Sequence, residues 1–270
     1  MVAATPRPIR LLPWSAEPGD VQLARGLAML AGLDETRQPA LRWYDVAPPA
    51  LILGSSQRAD DVNAAACAAQ GIPLYRRASG GGAVLNAAML SLDIALPPGD
   101  PLNVDDVTRS YEWLGELWAR ALQGLGIDAR VIGIPEARAN VQALPPLLKR
   151  VCFAGWSPYE VLVGDAKLVG LAQRRRRGAA LLQAGLYTHW RPARTAELVA
   201  RTDAERRMLD TELAWRVAGL NTVRPAVSAE AVQRAVEAEL TRLGLVVTPS
   251  AWTPGEEAAT EAALATLRPV

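Results

Sequence analysis

Three consecutive glycines follow an arginine pair in the segment 76–85, which has the sequence RRASGGGAVL. Glycine has no Cβ, so its backbone N–H groups can approach an acyl or phosphate oxygen closely, and it tolerates positive φ angles. Arg76 and Arg77 add fixed positive charge beside this bare backbone. The segment therefore predicts a loop that binds an acyl or anionic group, and the strand-like residues on its two sides would hold it in place.

Lysine is rare in this chain. Lys149 and Lys167 are the two lysines among 29 lysine and arginine residues. Arginine thus serves where charge alone is needed, and a remaining lysine is expected where a compact primary ammonium is required. Lys167 lies in a predicted β-hairpin, with strands over 159–163 and 167–171 around a Gly164-Asp165 turn. With the glycine loop, it predicts a site for an activated carboxyl group.

Composition limits the other possibilities. A chain of 270 residues, half of them apolar, predicts a single domain over 1–270, with a mainly helical part from about residue 191. A net charge of +1 favours neither a nucleic-acid partner nor a membrane surface. Four prolines interrupt the first twenty residues, which argues against a secretory signal and predicts a cytoplasmic protein. One histidine and two cysteines make a metal site unexpected.

Hydrophobic periodicity predicts the local structure. Helices are expected over 20–33, 60–70 and 105–125. Strands are expected over 41–44, 50–53, 72–77, 90–96, 129–132, 159–163, 167–171, 179–188 and 245–247, and strand 90–96 alternates as a half-buried strand does. Residues 133–151 contain three prolines and are expected to form an irregular loop. Because regular βαβ alternation is missing, we predict an α+β fold, with a mixed, largely antiparallel β-sheet flanked by helices.

Four stretches carry a resemblance to a known family: residues 41–44, 53–57, 76–85, and 167–174 with the later Leu182-Gln183. Their order and spacing resemble the lipoate-protein ligase and octanoyltransferase superfamily, which includes the biotin-protein ligases. The resemblance covers about residues 40–190 and implies the catalytic-domain fold of that superfamily. It implies that Lys167 contacts the acyl carbonyl or carboxylate. It also implies that the substrate-binding residues are Arg77, Ser79, Gly80, Gly81, Gly82, Ala83, Val84, Leu85, Gly170 and Gln173.

Residues 152–160, CFAGWSPYE, resemble the cysteine-bearing segment of one group of octanoyltransferases. In that group a catalytic cysteine takes an octanoyl group from acyl carrier protein and passes it to a lysine of a lipoyl domain or a glycine-cleavage H-type protein. A thioester donor is already activated, so Cys152 would need no ATP or other cofactor. Lys149, Arg150 and Lys167 would favour its thiolate form if they lay nearby. The alternative for Cys152 is an inert buried thiol.

Two other functions remain open at this stage. An ATP-dependent lipoate-protein ligase would form lipoyl-adenylate and would need ATP and Mg²⁺. A non-catalytic protein would bind only acyl groups or lipoyl domains. Asn86 and Ala184 stand where the family commonly has histidine, and Leu171 replaces a small polar residue. The arginine run 174–177 predicts a charged strand edge or a docking surface for an acidic carrier protein rather than a nucleic-acid site.

Overall fold

The computed structural model of the protein describes residues 6–267 and 269–270. Its strands are β1 Arg7–Leu11, β2 Ser15–Glu17, β3 Ala40–Val46, β4 Ala50–Leu53, β5 Leu74–Arg76, β6 Val84–Asn86, β7 Met89–Leu96, β8 Ala129–Val131, β9 Val161–Val163, β10 Ala166–Arg176, β11 Ala179–Tyr187 and β12 Leu245–Pro249. Its helices are α1 Gly19–Thr36, α2 Ala64–Ala69, α3 Glu112–Gly124, α4 Ile134–Ala143, α5 Pro192–Val199, α6 Asp203–Arg216, α7 Leu220–Val223, α8 Ala229–Arg242 and α9 Pro254–Leu264.

The strands form two sheets. The large sheet has the order β12-β1-β3-β7-β11-β10-β9-β8, with β2 paired to β3. Its central pairs β3–β7, β7–β11 and β11–β10 are antiparallel, whereas β1 pairs in parallel with both β3 and β12. The small sheet has the order β5-β4-β6. The predicted mixed sheet with flanking helices is therefore confirmed.

The central strand β7 is covered on both faces. Leu90, Leu92 and Ile94 pack into a core that includes Trp118 of α3. The alternate residues also lie in the interior, and Asp93 is fully buried. Helix α1 packs on β3, β7 and β11 and covers that second face. The prediction of a half-buried strand over 90–96 was therefore wrong, because a second layer covers the face that carries the polar residues.

The segment 133–151 also differs from expectation. Instead of an irregular loop it begins with helix α4, in which Pro135 occupies the first turn. Proline fits that position, since the N–H that it lacks would have no partner within the helix. A 3₁₀ helix over Leu148–Arg150 then leads to Cys152. The prolines thus mark the start of a helix and the connection after it.

Other predicted bounds shift by a few residues. The predicted helix 105–125 is a 3₁₀ turn, Arg109–Tyr111, followed by α3, and the predicted helix 60–70 is a 3₁₀ turn followed by α2. The predicted strand 72–77 is shortened to β5. The hairpin of β9 and β10 is confirmed, with Gly164 at its turn. None of the described helices is long and apolar enough to span a membrane.

Candidate active site

The triple-glycine loop lies against the segment that carries Cys152. Gly81 has a φ angle of +92°, which favours glycine, and a Cβ there would lie 3.4 Å from the Cys152 Sγ. A Cβ at Gly82 would lie only 2.7 Å from the backbone nitrogen of Cys152. The close approach of the loop to the cysteine therefore requires glycine at position 82, and the positive φ angle favours glycine at position 81.

Backbone hydrogen bonds fix this approach. The Ala83 N–H donates to the Arg150 carbonyl over 2.7 Å, and the Cys152 N–H donates to the Ala83 carbonyl over 3.0 Å. The Gln57 amide Nε2 donates to the same Arg150 carbonyl over 3.1 Å. The position of Cys152 is therefore set by the glycine loop through a short ladder of hydrogen bonds.

The Arg77 side chain holds the loop in shape from within. Its Nη2 donates to the Gly80 carbonyl over 2.7 Å and to the Gly82 carbonyl over 2.8 Å, and its Nη1 donates to the Ile52 carbonyl over 3.2 Å. A planar guanidinium with several donors can bind three carbonyls at once, which an ammonium could not do with fixed geometry.

A cavity of about 100 Å³ opens between the two sheets beside Cys152, and we call it the main cavity. Its polar lining includes Arg77, Asn86, Ser91 and Gln183. Most of the remaining lining is apolar or glycine, including Val84, Phe153 and Gly170. Cys152 also lines it and is half-buried. The cavity thus offers a slot with apolar walls next to a thiol, which suits an acyl chain.

Lys167 forms a buried ion pair beneath the cysteine. Its Nζ lies 2.7 Å from Glu160 Oε2 and donates to the Cys152 carbonyl over 3.0 Å, and both charged side chains are 1% exposed. Glu160 also accepts hydrogen bonds from the Ser157 and Leu171 N–H groups. Burial raises the pKa of Glu160, and Lys167 partly opposes this effect.

The predicted substrate-binding residues fall into groups. Arg77, Val84 and Gly170 line the main cavity. Gly80, Gly81, Gly82 and Ala83 build the loop that positions Cys152. Leu85 is buried behind it, where its carbonyl accepts the Tyr187 hydroxyl hydrogen bond. The structure therefore brings the glycine loop and Cys152 together.

The remaining predicted residues lie elsewhere. Ser79 lines an adjoining cavity, here called the side cavity, with Arg76, Arg77 and Arg174. Its buried hydroxyl has no hydrogen-bond partner among the described residues. Gln173 is not brought to the main cavity, because its amide hydrogen-bonds to Ser110.

The three cations expected near Cys152 are placed differently from one another. Lys149 is exposed. The Arg150 guanidinium pairs with Glu205 of α6 over 3.1 Å. Lys167 is the one of the three whose side chain hydrogen-bonds to Cys152, and it does so at the backbone carbonyl rather than at the sulfur. Lys167 is not part of the main-cavity lining.

A buried polar network under the main cavity was missed at the sequence level. Arg42 donates to Asp93 Oδ2 over 3.0 and 2.7 Å, and Gln183 donates to Asp93 Oδ1 over 2.9 Å. Arg42 Nη1 also donates to Gln22 over 2.6 Å. The network fixes the orientation of the Gln183 amide at the cavity wall. The available signal was a charged residue in the interior of each of two mainly apolar strands, Arg42 in β3 and Asp93 in β7.

No group of three or more His, Cys, Asp or Glu side chains within residues 6–267 and 269–270 is arranged to hold a metal ion. The apolar slot, the thiol and the glycine loop are the chemical features that this region offers. They favour handling of an acyl group.

Solved structures share this fold. A bi-partite lipoate protein ligase from Thermoplasma acidophilum superposes with a TM-score of 0.78 at 23% identity, covering 96% of this chain and 92% of that one. A lipoate-protein ligase A bound with ATP superposes with a TM-score of 0.76 at 23% identity, covering 96% and 95%. At this identity the likeness concerns the fold.

Relatives found by sequence have a higher identity to this chain than these solved structures have. The octanoyltransferase LipM of Kyrpidia tusciae is 33% identical over 231 residues, which cover 84% of each chain. The octanoyltransferase LipM of Exiguobacterium sp. strain AT1b is 32% identical over 202 residues, covering 74% of this chain and 73% of the relative. The family model of the lipoyl protein ligase A/B catalytic domain matches residues 20–241. The resemblance inferred from the four sequence stretches is thereby confirmed, and the chain belongs to the lipoyl protein ligase A/B catalytic domain family.

Proposed function

We propose that this protein is an octanoyltransferase of protein lipoylation that carries the acyl group on Cys152. The observation that carries the proposal is the half-buried thiol of Cys152 on the wall of the main cavity, held there by the glycine loop. Relatives that span most of the chain are octanoyltransferases. A thiol beside an apolar slot suits covalent transfer of a fatty acyl group.

The reaction proceeds in two exchanges. The Cys152 thiolate attacks the carbonyl carbon of an octanoyl thioester, a new C–S bond forms, and the bond to the carrier sulfur breaks, so that the carrier leaves as a thiol after taking up a proton. The lysine amine of the acceptor then attacks the Cys152 thioester. An amide forms, the C–S bond breaks, and the proton lost by the amine returns to the cysteine sulfur.

Lys167 supports this chemistry from behind the cysteine. Its hydrogen bond to the Cys152 carbonyl fixes the backbone that carries the sulfur. Its ammonium is paired with Glu160 outside the main-cavity lining, so Lys167 acts on the position of the sulfur rather than on the acyl oxygen. Glu160 keeps that ammonium in place.

The donor and acceptor follow from the proposed chemistry. We infer that the donor is octanoyl-acyl carrier protein and that the acceptor is a lipoyl domain or a glycine-cleavage H-type protein. Strand β10 extends past the residues that pair with β9, and this extension carries arginines 174–176. These arginines provide positive charge near the site for an acidic carrier.

Intact-mass spectrometry tests the covalent step. Incubation with octanoyl-acyl carrier protein should add one octanoyl group to the wild-type protein, and Cys152→Ala should remove both this adduct and transfer to a lipoyl domain. Cys67→Ala is the matched control, because Cys67 of α2 is 1% exposed and is not among the residues that line the main cavity. Full transfer by Cys152→Ala would eliminate the covalent mechanism.

One observation favours a second candidate, ATP-dependent lipoate ligation. The side cavity adjoins the main cavity and is lined by Arg76, Arg77 and Arg174. The buried Ser79 hydroxyl beside them has no hydrogen-bond partner within the part of the chain that the structure describes. Such residues fit the phosphates of ATP, which would supply the activation that a free carboxylate lacks. Pyrophosphate release with lipoate, ATP and Mg²⁺ distinguishes this reaction, because the thioester route releases none.

A further inference from the structure

The wall of the main cavity contains two glycines that face each other across β10 and β11. Gly170 pairs with Gly185, and Gly185 pairs with Ser91 of β7. Directly paired residues in antiparallel strands point to the same face of a sheet. Three small residues therefore form a continuous row across the sheet, and all three line the main cavity.

Larger side chains pack directly on this row. A Cβ at Gly170 would lie 2.9 Å from Cζ of Phe153, and a Cβ at Gly185 would lie 2.9 Å from Sδ of Met89. Neither glycine has a positive φ angle, so backbone conformation does not explain them. They are explained by the close approach of Phe153 and Met89, which are both 3% exposed.

The Phe153 and Met89 side chains differ in conformational freedom. Phe153 follows Cys152 in the chain, its ring packs on Tyr187 at 4.9 Å, and the Lys167 ammonium lies 5.4 Å from its centroid. It cannot move without disturbing the cysteine. Met89 is unbranched and adapts its shape readily to the available space. The extent of the cavity above Gly185 is therefore controlled by Met89.

We propose that Met89, packed on Gly185, sets the length of acyl chain that the main cavity accepts. The inference rests on the proposed acyl-transfer function and adds its specificity determinant. When an apolar wall blocks the space that a longer acyl chain needs, the relative rate of transfer for that chain falls by about tenfold or more. Removing the thioether should lengthen the slot, and pushing it inward should shorten the slot.

The experiment is a competition among hexanoyl-, octanoyl- and decanoyl-acyl carrier protein, read as the relative rates of adduct formation on Cys152 by intact-mass spectrometry. Met89→Ala should raise the decanoyl-to-octanoyl ratio by about tenfold. Gly185→Ala should push the sulfur into the slot and lower the octanoyl-to-hexanoyl ratio by about tenfold. The double variant should return towards wild type, because the added methyl then fills space that the thioether has left.

Met208→Ala is the control, since Met208 is 40% exposed on α6. Thermal unfolding of each variant shows whether it is folded, and if Met89→Ala does not fold, Gly185→Ala alone decides. Unchanged ratios in folded variants that form adducts would overturn the inference and leave the proposed function intact. A wild-type protein that forms no adduct with any donor would instead overturn the proposed function and this inference with it.

Discussion

The Lys167 amine donates a hydrogen bond to the backbone carbonyl of Cys152 over 3.0 Å while it pairs with Glu160 at 2.7 Å. Both charged side chains are 1% exposed, so water cannot substitute for either partner. The backbone that carries the thiol is therefore tied to an ion pair that lies outside the main-cavity lining. This relationship makes the stability of the fold and the placement of the sulfur depend on the same two charges.

Lys167→Met is expected to lower the free energy of unfolding by about 3–5 kcal/mol, because it leaves a buried carboxylate without its cation. Urea unfolding measures this loss. Lys167→Met combined with Glu160→Gln should lose less, since no unpaired buried charge remains. Arg206→Ala is the control, because the Arg206–Asp203 pair is 55% and 78% exposed and should contribute less than about 1 kcal/mol. A loss for Lys167→Met as small as that of the control would contradict the argument.

The same pair predicts a pH dependence. Burial raises the pKa of the Glu160 carboxyl above its ordinary value. A carboxyl whose folded pKa exceeds its unfolded one binds its proton more tightly in the native state. Its contribution to stability is therefore complete below the unfolded pKa of about 4.3 and is lost as the pH rises through the folded value. The stability of the wild type relative to Glu160→Gln should fall over that interval.

Urea unfolding of the two proteins across the acid and neutral range measures this difference. The diagnostic quantity is the slope of this stability difference against pH. The side chain at position 160 cannot titrate in the Glu160→Gln variant, and the other ionisable groups are common to both proteins. A difference that grows with rising pH would show that Lys167 lowers the Glu160 pKa by more than burial raises it.

Local signals predicted the parts of the site that depend on local chemistry. The Gly164 turn, the strand over 179–188 and the glycine loop follow from turn residues and period-two alternation, and each lies close to its predicted position. The capping box of Thr253 and Glu256 at the start of α9 is another feature that depends on local chemistry.

Features that depend on the second layer could not be predicted in this way. The alternation in β7 is the pattern of a half-exposed strand, and only the presence of α1 above it buries Asp93 against Arg42. Glu160 and Lys167 are seven residues apart in a hairpin, where a charged pair is usually solvated. Their burial results from packing between distant segments, which leaves no periodic signal in the chain.

Gly82→Ala tests the contact between the loop and the cysteine. The new Cβ would lie 2.7 Å from the Cys152 nitrogen, a backbone atom that cannot rotate away. The Ala83 ladder must then open, and a displacement of about 1 Å at a reacting group costs on the order of a hundredfold in rate. The rate of octanoyl adduct formation on Cys152 measures the effect.

Gly124→Ala is the matched control, because a Cβ at Gly124 meets nothing within 4 Å and the residue ends helix α3, far along the chain from the loop. It should form the adduct at the wild-type rate. Equal rates of adduct formation for the two alanine variants would show that the loop can accommodate the new methyl group without displacing the sulfur.

The two thiols should differ sharply in reactivity, and this difference can be measured without any substrate. Burial raises the pKa of Cys67 to about 11, so roughly one molecule in a thousand carries its thiolate at about pH 8. Cys67 is also 1% exposed, whereas Cys152 is half-buried on the wall of an open cavity. Iodoacetamide should therefore label Cys152 alone in the folded protein. Cys152→Ala should stay unlabelled until it is denatured, and Cys67→Ala should label as fast as wild type. Rapid labelling of folded Cys152→Ala would mean that Cys67 is accessible and reactive, and it would remove the physical basis for assigning acyl transfer to only one of the two sulfurs.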